Sequence, residues 1–106
     1  MSDDVDWAAE AASKTAPWYG ARAGKNGVAS FFSDLAAGIE IGEFTPHSFA
    51  AGEDDVHLLV YWTIRPVKTG RDASMTMQHY WRLRDGKVTY FRGSEDTELT
   101  AQIFTA

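Results

Sequence analysis

Between residues 74 and 84 the chain alternates, with Met75, Met77, His79, Trp81 and Leu83 at the odd positions and Ser74, Thr76, Gln78, Tyr80, Arg82 and Arg84 at the even ones. A period of two sorts side chains onto two faces, so this stretch predicts a long strand with one oily face. His79 stands in the middle of that face, between thioethers and an indole, where an ordinary core strand carries an aliphatic residue. Asp85-Gly86 ends the run, and Lys87-Val88-Thr89-Tyr90-Phe91-Arg92 follows as a second strand. The two predict a hairpin closed by an Arg84-Asp85-Gly86-Lys87 turn.

The same reading extends to the rest of the chain. Val5-Asp6-Trp7-Ala8 alternates and predicts a short strand, and residues 12–24, with Pro17, Gly20 and Gly24, predict an irregular connection whose Trp18 and Tyr19 need a home. Val28, Phe31, Phe32 and Leu35 fall at i, i+3, i+4 and i+7, which predicts a helix over 25–37 stopped by Gly38. Residues 40–49 alternate loosely around Pro46 and predict an edge strand, since proline cannot donate to a ladder. Residues 51–55 are a turn. Residues 56–65, VHLLVYWTIR, are apolar on both faces and predict a central strand covered on both sides. Asp96, ahead of Leu99, Ile103 and Phe104, predicts the N-cap of a short terminal helix. One long helix and several strands joined by short turns are buried most economically by wrapping a curved antiparallel sheet against the helix, an α+β arrangement.

Composition narrows the function. A chain of 106 residues is expected to form one domain, 1–106. Ten basic against fifteen acidic residues give a net charge of -5. Nucleic acid is therefore not an expected partner, because phosphate neutralisation needs a basic patch. There is no cysteine, which excludes disulfides, thiol chemistry and cysteine-bound zinc. No apolar run approaches the roughly 18 residues that span a bilayer, and MSDDVDW is not a signal peptide, so no membrane partner and a cytoplasmic location are expected. Four Trp, four Tyr and six Phe exceed the needs of a small core and point to a lined cavity, a subunit interface or both.

Phe44-Thr45-Pro46, Ala51-Gly52, Asp55-Val56, Thr69-Gly70-Arg71, His79-Tyr80-Trp81, Asp85-Gly86-Lys87-Val88 and Glu95-Asp96-Thr97 occur in this order along nearly the whole chain. Together they resemble the SnoaL-like and ketosteroid isomerase-like branch of the nuclear transport factor two-like superfamily. The resemblance implies a cone-shaped curved antiparallel sheet wrapped on a long helix, the cystatin-like α+β roll, commonly dimeric and with an apolar pocket. It also implies a long helix ahead of the strand at Val5. Met1-Ser2-Asp3-Asp4 stands in its place, so that first helix is expected to be missing and the pocket more open, unless residues 12–24 cover it. Superfamily members include isomerases, polyketide cyclases, dehydratases, epoxide hydrolases and non-catalytic binding modules, so the fold leaves the function open.

The expected pocket lining is Trp7, Trp18, Phe31, Met75, Met77, His79, Trp81 and Phe91, with His79 as the catalytic candidate. His79 matches, allowing one gap, the position of the protonated Asp in the isomerase oxyanion hole, where a neutral imidazole would donate to a ligand carbonyl or act as a general base. The bland alternative is a core histidine satisfied by a nearby carbonyl or hydroxyl. Steroid isomerisation by the family mechanism is not expected, because the catalytic Asp falls near Trp7. Epoxide hydrolysis is not expected either, because Arg82 and Arg84 lie on the face opposite His79. A dehydratase or cyclase using His79 and one carboxylate remains, with Asp6, Glu10, Glu95 or Asp96 as the acid; Asp96 reads better as a cap, and Arg92 as a surface ion-pair partner. His47, His57 and Asp55 lack metal-site spacing, so no metal and no cofactor are expected. The function expected is a small-molecule binding domain for a small apolar molecule, as an isomerase, cyclase or dehydratase acting on a hydrophobic carbonyl compound. The alternative is a non-catalytic dimerisation or interaction module, and a homodimer is expected through the outer face of the long strands.

Overall fold

The computed structural model describes residues 1–11 and 14–105. The elements run β1 (Asp6–Ala9), β2 (Gly20–Ala23), α1 (Gly24–Gly38), β3 (Ile39–Ala51), β4 (Asp55–Pro66), β5 (Ala73–Arg84), β6 (Lys87–Ser94) and α2 (Thr97–Phe104). The strands form one six-stranded sheet in the order β2-β1-β6-β5-β4-β3. Every neighbouring pair is antiparallel except β1 with β6, which are parallel, so the sheet is mixed. Register shifts at Ile41/Glu43, Pro46/Ser48 and Arg82/Leu83 mark bulges, which bend and twist the long strands. Helix α1 touches β1 and β2 at one end of the sheet and β3 at the other, so the sheet curls around it. This is the expected α+β roll.

Local sequence accounts for most of these elements. Val28 and Phe31 bury the helical stripe of α1, with Leu35 packed beside them, and Ile39 leaves the helix directly into β3. Asp85 and Gly86 both adopt left-handed backbone, with φ of 52° and 76°, the pair of positive angles that a two-residue type I′ hairpin turn requires. Pro46 lies on the edge strand beside a bulge, where its missing N–H costs no ladder bond.

Two expectations need correction. Residues 20–23 are not part of an irregular connection but form β2, which pairs antiparallel with β1. Ala12 and Ser13, at the start of that predicted connection, lie outside the described residues. The central strand β4 is not covered on both sides by its own chain: Val60, Trp62 and Ile64 are at most 3% exposed, whereas Tyr61 on the other face is 36% exposed. Among the described residues the helices and the 14–19 segment pack on the face of Val60, Trp62 and Ile64.

Helix α2 closes one end of the structure. Asp96 caps it by accepting from the Leu99 N–H at 3.0 Å, and Thr100 and Ile103 face inward, fully buried. Asp96→Ala should lower unfolding free energy by about 1 kcal/mol, the usual loss for an acidic N-cap. Urea denaturation would read it as a shift in midpoint at unchanged slope.

Candidate functional site

The concave face of the sheet encloses a cavity of about 240 Å³ against α1 and the 14–19 segment. The volume is slightly below the ~300 Å³ at which ligand pockets usually begin. Each wall comes from a different element. Strand β1 supplies Trp7 and Ala9, the connection Trp18, and α1 supplies Phe31, Phe32 and Leu35; Phe44, Leu58 and Trp62 come from β3 and β4. Met77, His79 and Trp81 stand along β5, with Phe91 and Gly93 beside them on β6 and Glu95 beyond its end. Phe32 and Phe44 are about half exposed, at 49% and 50%.

Of the residues expected to line a pocket, Trp7, Trp18, Phe31, Met77, His79, Trp81 and Phe91 are brought together in this wall. Met75 is not. It shares their face but lies under α2, within 3.8 Å of the Thr100 hydroxyl. Alternation tells which face a residue is on, not how far along the strand the cavity reaches. Trp62, Leu58, Phe32, Leu35, Phe44 and Gly93 join the wall without having been expected. Antiparallel pairing of Leu58 with His79 and Val60 with Met77 brings β4 into register, a signal that needs the strand pairing and is absent from either strand alone.

The aromatic rings interlock. Trp7 stacks on Phe91 with centroids 4.1 Å apart and meets Phe31 and Trp81 at 5.4 and 5.7 Å. Gly93 pairs with His79 across β5 and β6, and a Cβ there would crowd the Phe91 ring at 3.0 Å while meeting His79 Cδ2 at an ordinary 3.5 Å, so glycine spares the Phe91 ring a small shift. The indole N–H groups of Trp7 and Trp62 find no acceptor among the described residues. Each costs about 1–3 kcal/mol, so neither ring is placed there for its polar atom.

His79 contacts Phe91 edge-on at 5.1 Å and Trp81 at 6.0 Å. Among the described residues no hydrogen bond to its ring is found. Burial disfavours the imidazolium and lowers its pKa to about 4, so the ring is neutral at pH 7.

Among the carboxylates of the described residues only Glu95 reaches the wall. Trp18 Nε1 donates to its Oε1 at 3.2 Å, while Tyr19 OH, at 3.2 Å, and the Thr100 hydroxyl both donate to Oε2. Burial raises the Glu95 pKa above its ordinary value, and the hydrogen bonds from Thr100, Trp18 and Tyr19 oppose that rise. Burial, with the Glu95 charge beside it, also pushes the Tyr19 phenol well above its usual range. The other acid candidates are elsewhere. Asp6 and Glu10 face Arg92, at 2.9 and 3.9 Å, and Asp96 is the helix cap. Among the described residues no group of three or more His, Asp or Glu is arranged to hold a metal ion, and no helix is long and apolar enough to cross a membrane.

A roll of this topology is shared with known proteins, and the sequence pattern of the SnoaL-like domain matches residues 1–91. The chain belongs to the SnoaL-like domain family. A candidate isomerase from Rhodopseudomonas palustris superimposes with a TM-score of 0.83 at 26% identity, over 96% of this chain and 76% of that one. An NTF2-like protein of unknown function from Burkholderia pseudomallei gives a TM-score of 0.90 at 23% identity, over 100% of this chain and 80% of the other. A candidate SnoaL-like polyketide cyclase from Mesorhizobium loti gives 0.74 at 17% identity, over 87% and 75%. No curated protein matches the sequence.

The titration of His79 provides a test of this SnoaL-like site. Its folded pKa is depressed, so the unfolded chain binds the proton more readily, and the stabilisation is present above about 6.5 and lost as pH falls from there through about 4. At 1.36 kcal/mol per pKa unit the loss is at most about 3 kcal/mol. Glu95 runs the other way: its raised pKa stabilises the fold below its ordinary value of 4.5 and that contribution is lost as pH rises through the raised one. Acidification from pH 6.5 to 4.5 should therefore cost the parent protein more stability than His79→Phe, which keeps only the Glu95 contribution. An NMR titration that placed His79 above pH 7 would refute the desolvation of this ring.

Proposed function

We propose that this SnoaL-like chain is a small-molecule binding domain that holds a hydrophobic carbonyl compound in its cavity and acts on it as an isomerase or cyclase. The observation that carries this reading is an imidazole, free of hydrogen bonds from the described residues, in a wall of aromatic and aliphatic side chains. A neutral imidazole offers one N–H and one lone pair. In such low-dielectric surroundings an N–H aimed at a carbonyl oxygen gains strength as negative charge develops on that oxygen. Glu95 is the proton acceptor available in the same wall. A proton taken from the carbon next to the carbonyl and returned at another carbon is an isomerisation. Attack of the same enolate on an electrophilic carbon of the same molecule is a cyclisation. Both balance without an oxidant. A candidate isomerase and a candidate polyketide cyclase among the similar structures support this class of chemistry.

The bicyclic ketone 1-tetralone tests the reading, with its oxygen-free analogue tetralin as control. Calorimetry should show 1-tetralone binding more tightly than tetralin. His79→Phe, which keeps roughly the side-chain volume, should weaken 1-tetralone by about 5- to 150-fold, the equivalent of a buried hydrogen bond worth ~1–3 kcal/mol. Equal affinity for ketone and hydrocarbon in the parent protein would overturn the assignment of His79.

A second, compatible reading concerns the opposite face of the sheet. Arg82 lies over the Tyr90 ring at 4.5 Å and Arg92 over the same ring at 4.1 Å, while His57 packs on Tyr80 at 4.6 Å and Tyr61 is open to solvent beside them. Tyrosine and arginine are the residue types enriched at protein contacts, and we propose that this face joins two copies of the chain. Sedimentation at tens of micromolar should give a dimer. Tyr61→Lys should shift the distribution towards monomer, and a parent protein that is monomeric at that concentration would end the proposal.

A further inference from the structure

The hydrogen-bond arrangement around Glu95 adds a chemical requirement on the ligand. A carboxylate has about four acceptor positions on its two oxygens. Tyr19 and Thr100 donate to Oε2 and Trp18 alone donates to Oε1, so the described residues leave one acceptor position on Oε1 unfilled. Glu95 belongs to the cavity wall, and no lysine or arginine does. An anionic ligand would meet a carboxylate with no cation to offset it, at the full cost of desolvating both charges. A neutral ligand with a hydroxyl would fill the open position through a charge-assisted bond, roughly twice as strong as one between neutral groups. Size sets a further limit. A cavity of about 150 Å³ holds benzene, so the ~240 Å³ here suits one or two rings.

Resting on the carbonyl-binding reading above, we propose that the ligand is a neutral hydroxy-carbonyl compound of one or two rings. Its hydroxyl donates to Glu95 Oε1 in the resting complex and its carbonyl accepts from His79; the hydroxyl leaves that position when Glu95 takes the carbon-bound proton. Glu95 thereby selects for hydroxylated ligands and against acids, and Trp18, which donates to the same oxygen, packs beside the bound hydroxyl.

The test compares 1-tetralone with 5-, 6- and 7-hydroxy-1-tetralone and with a tetralone carboxylic acid, by calorimetry on the full chain. At least one hydroxytetralone should bind 10-fold or more tightly than 1-tetralone, and the acid should bind more weakly than either. The quantity to follow in variants is the ratio of hydroxytetralone to tetralone affinity. Glu95→Gln, which replaces a charged acceptor with a neutral one, should shrink that ratio severalfold, and Glu95→Leu, which has no acceptor, should bring it near one. A merely structural role for Glu95 would weaken both ligands alike and leave the ratio where it was. If Glu95→Leu fails to fold, the Gln variant and the ligand series in the parent protein still decide. Binding of 1-tetralone with no hydroxytetralone tighter, or with a ratio unchanged in Glu95→Gln, overturns the role of Glu95 and leaves the carbonyl reading in place. Failure of 1-tetralone and all its hydroxylated forms to bind overturns both.

Discussion

One partly buried carboxylate joins the 14–19 connection, the end of β6 and α2. Glu95 sits just past the end of β6, and its donors come from the 14–19 connection, through Trp18 and Tyr19, and from α2, through Thr100. Without it Trp18 and Tyr19 would each lose an acceptor, at about 1–3 kcal/mol apiece, whereas Thr100 also lies 3.1 Å from the Asp96 carbonyl and α2 is tied separately to the loop after β4 through Thr69 and Arg71. Trp18, 1% exposed, then packs on Trp62 at 6.2 Å and Phe104 at 5.7 Å, which fixes one end of the cavity. From outside, Arg22 donates to the Pro17 carbonyl at 3.1 Å while pairing with Asp34 of α1 at 3.0 Å. The wall segment is held on both sides, by a buried anion within and an ion pair without.

The cavity depends equally on what the sheet leaves out. Where β5 and β6 run side by side, His79 faces Gly93 and Trp81 faces Phe91, so bulky rings alternate with a bare backbone. Two large side chains opposite one another at His79 would fill the space that the ring now borders. The parallel pairing of β1 with β6 sets Trp7 opposite Phe91 and allows the 4.1 Å stack that closes the aromatic wall.

These relations explain which parts were legible in the sequence. The two faces of β5, the stripe of α1, the type I′ turn and the Asp96 cap are local patterns within a dozen residues, and each was readable from spacing alone. Glu95 was one of the four acid candidates, but its hydrogen-bond donors were not legible, since Trp18 and Tyr19 lie 77 and 76 residues away from it along the chain. Strand β2 was hidden for a different reason. Gly20-Ala21-Arg22-Ala23 contains no β-branched or aromatic residue, and its pairing with β1 is a tertiary contact rather than a propensity. Met75 went to the wrong surroundings because its face was correct and its depth was decided by Thr100, from a helix at the far end of the chain.

Burial acts on His79 and Glu95 in the same sense, disfavouring charge, and so shifts their pKa values in opposite directions. The imidazole falls to about 4 and the carboxyl rises from 4.5, which reverses the ordinary order of an acid and a histidine. Burial therefore works against an ion pair between them. The division of labour follows. Under the proposed carbonyl chemistry, His79 would serve as a neutral hydrogen-bond donor to the carbonyl and Glu95 as the group that moves the proton. A site that needed an imidazolium would require a carboxylate hydrogen-bonded to the ring, and Glu95 has its hydrogen bonds with Trp18, Tyr19 and Thr100 instead.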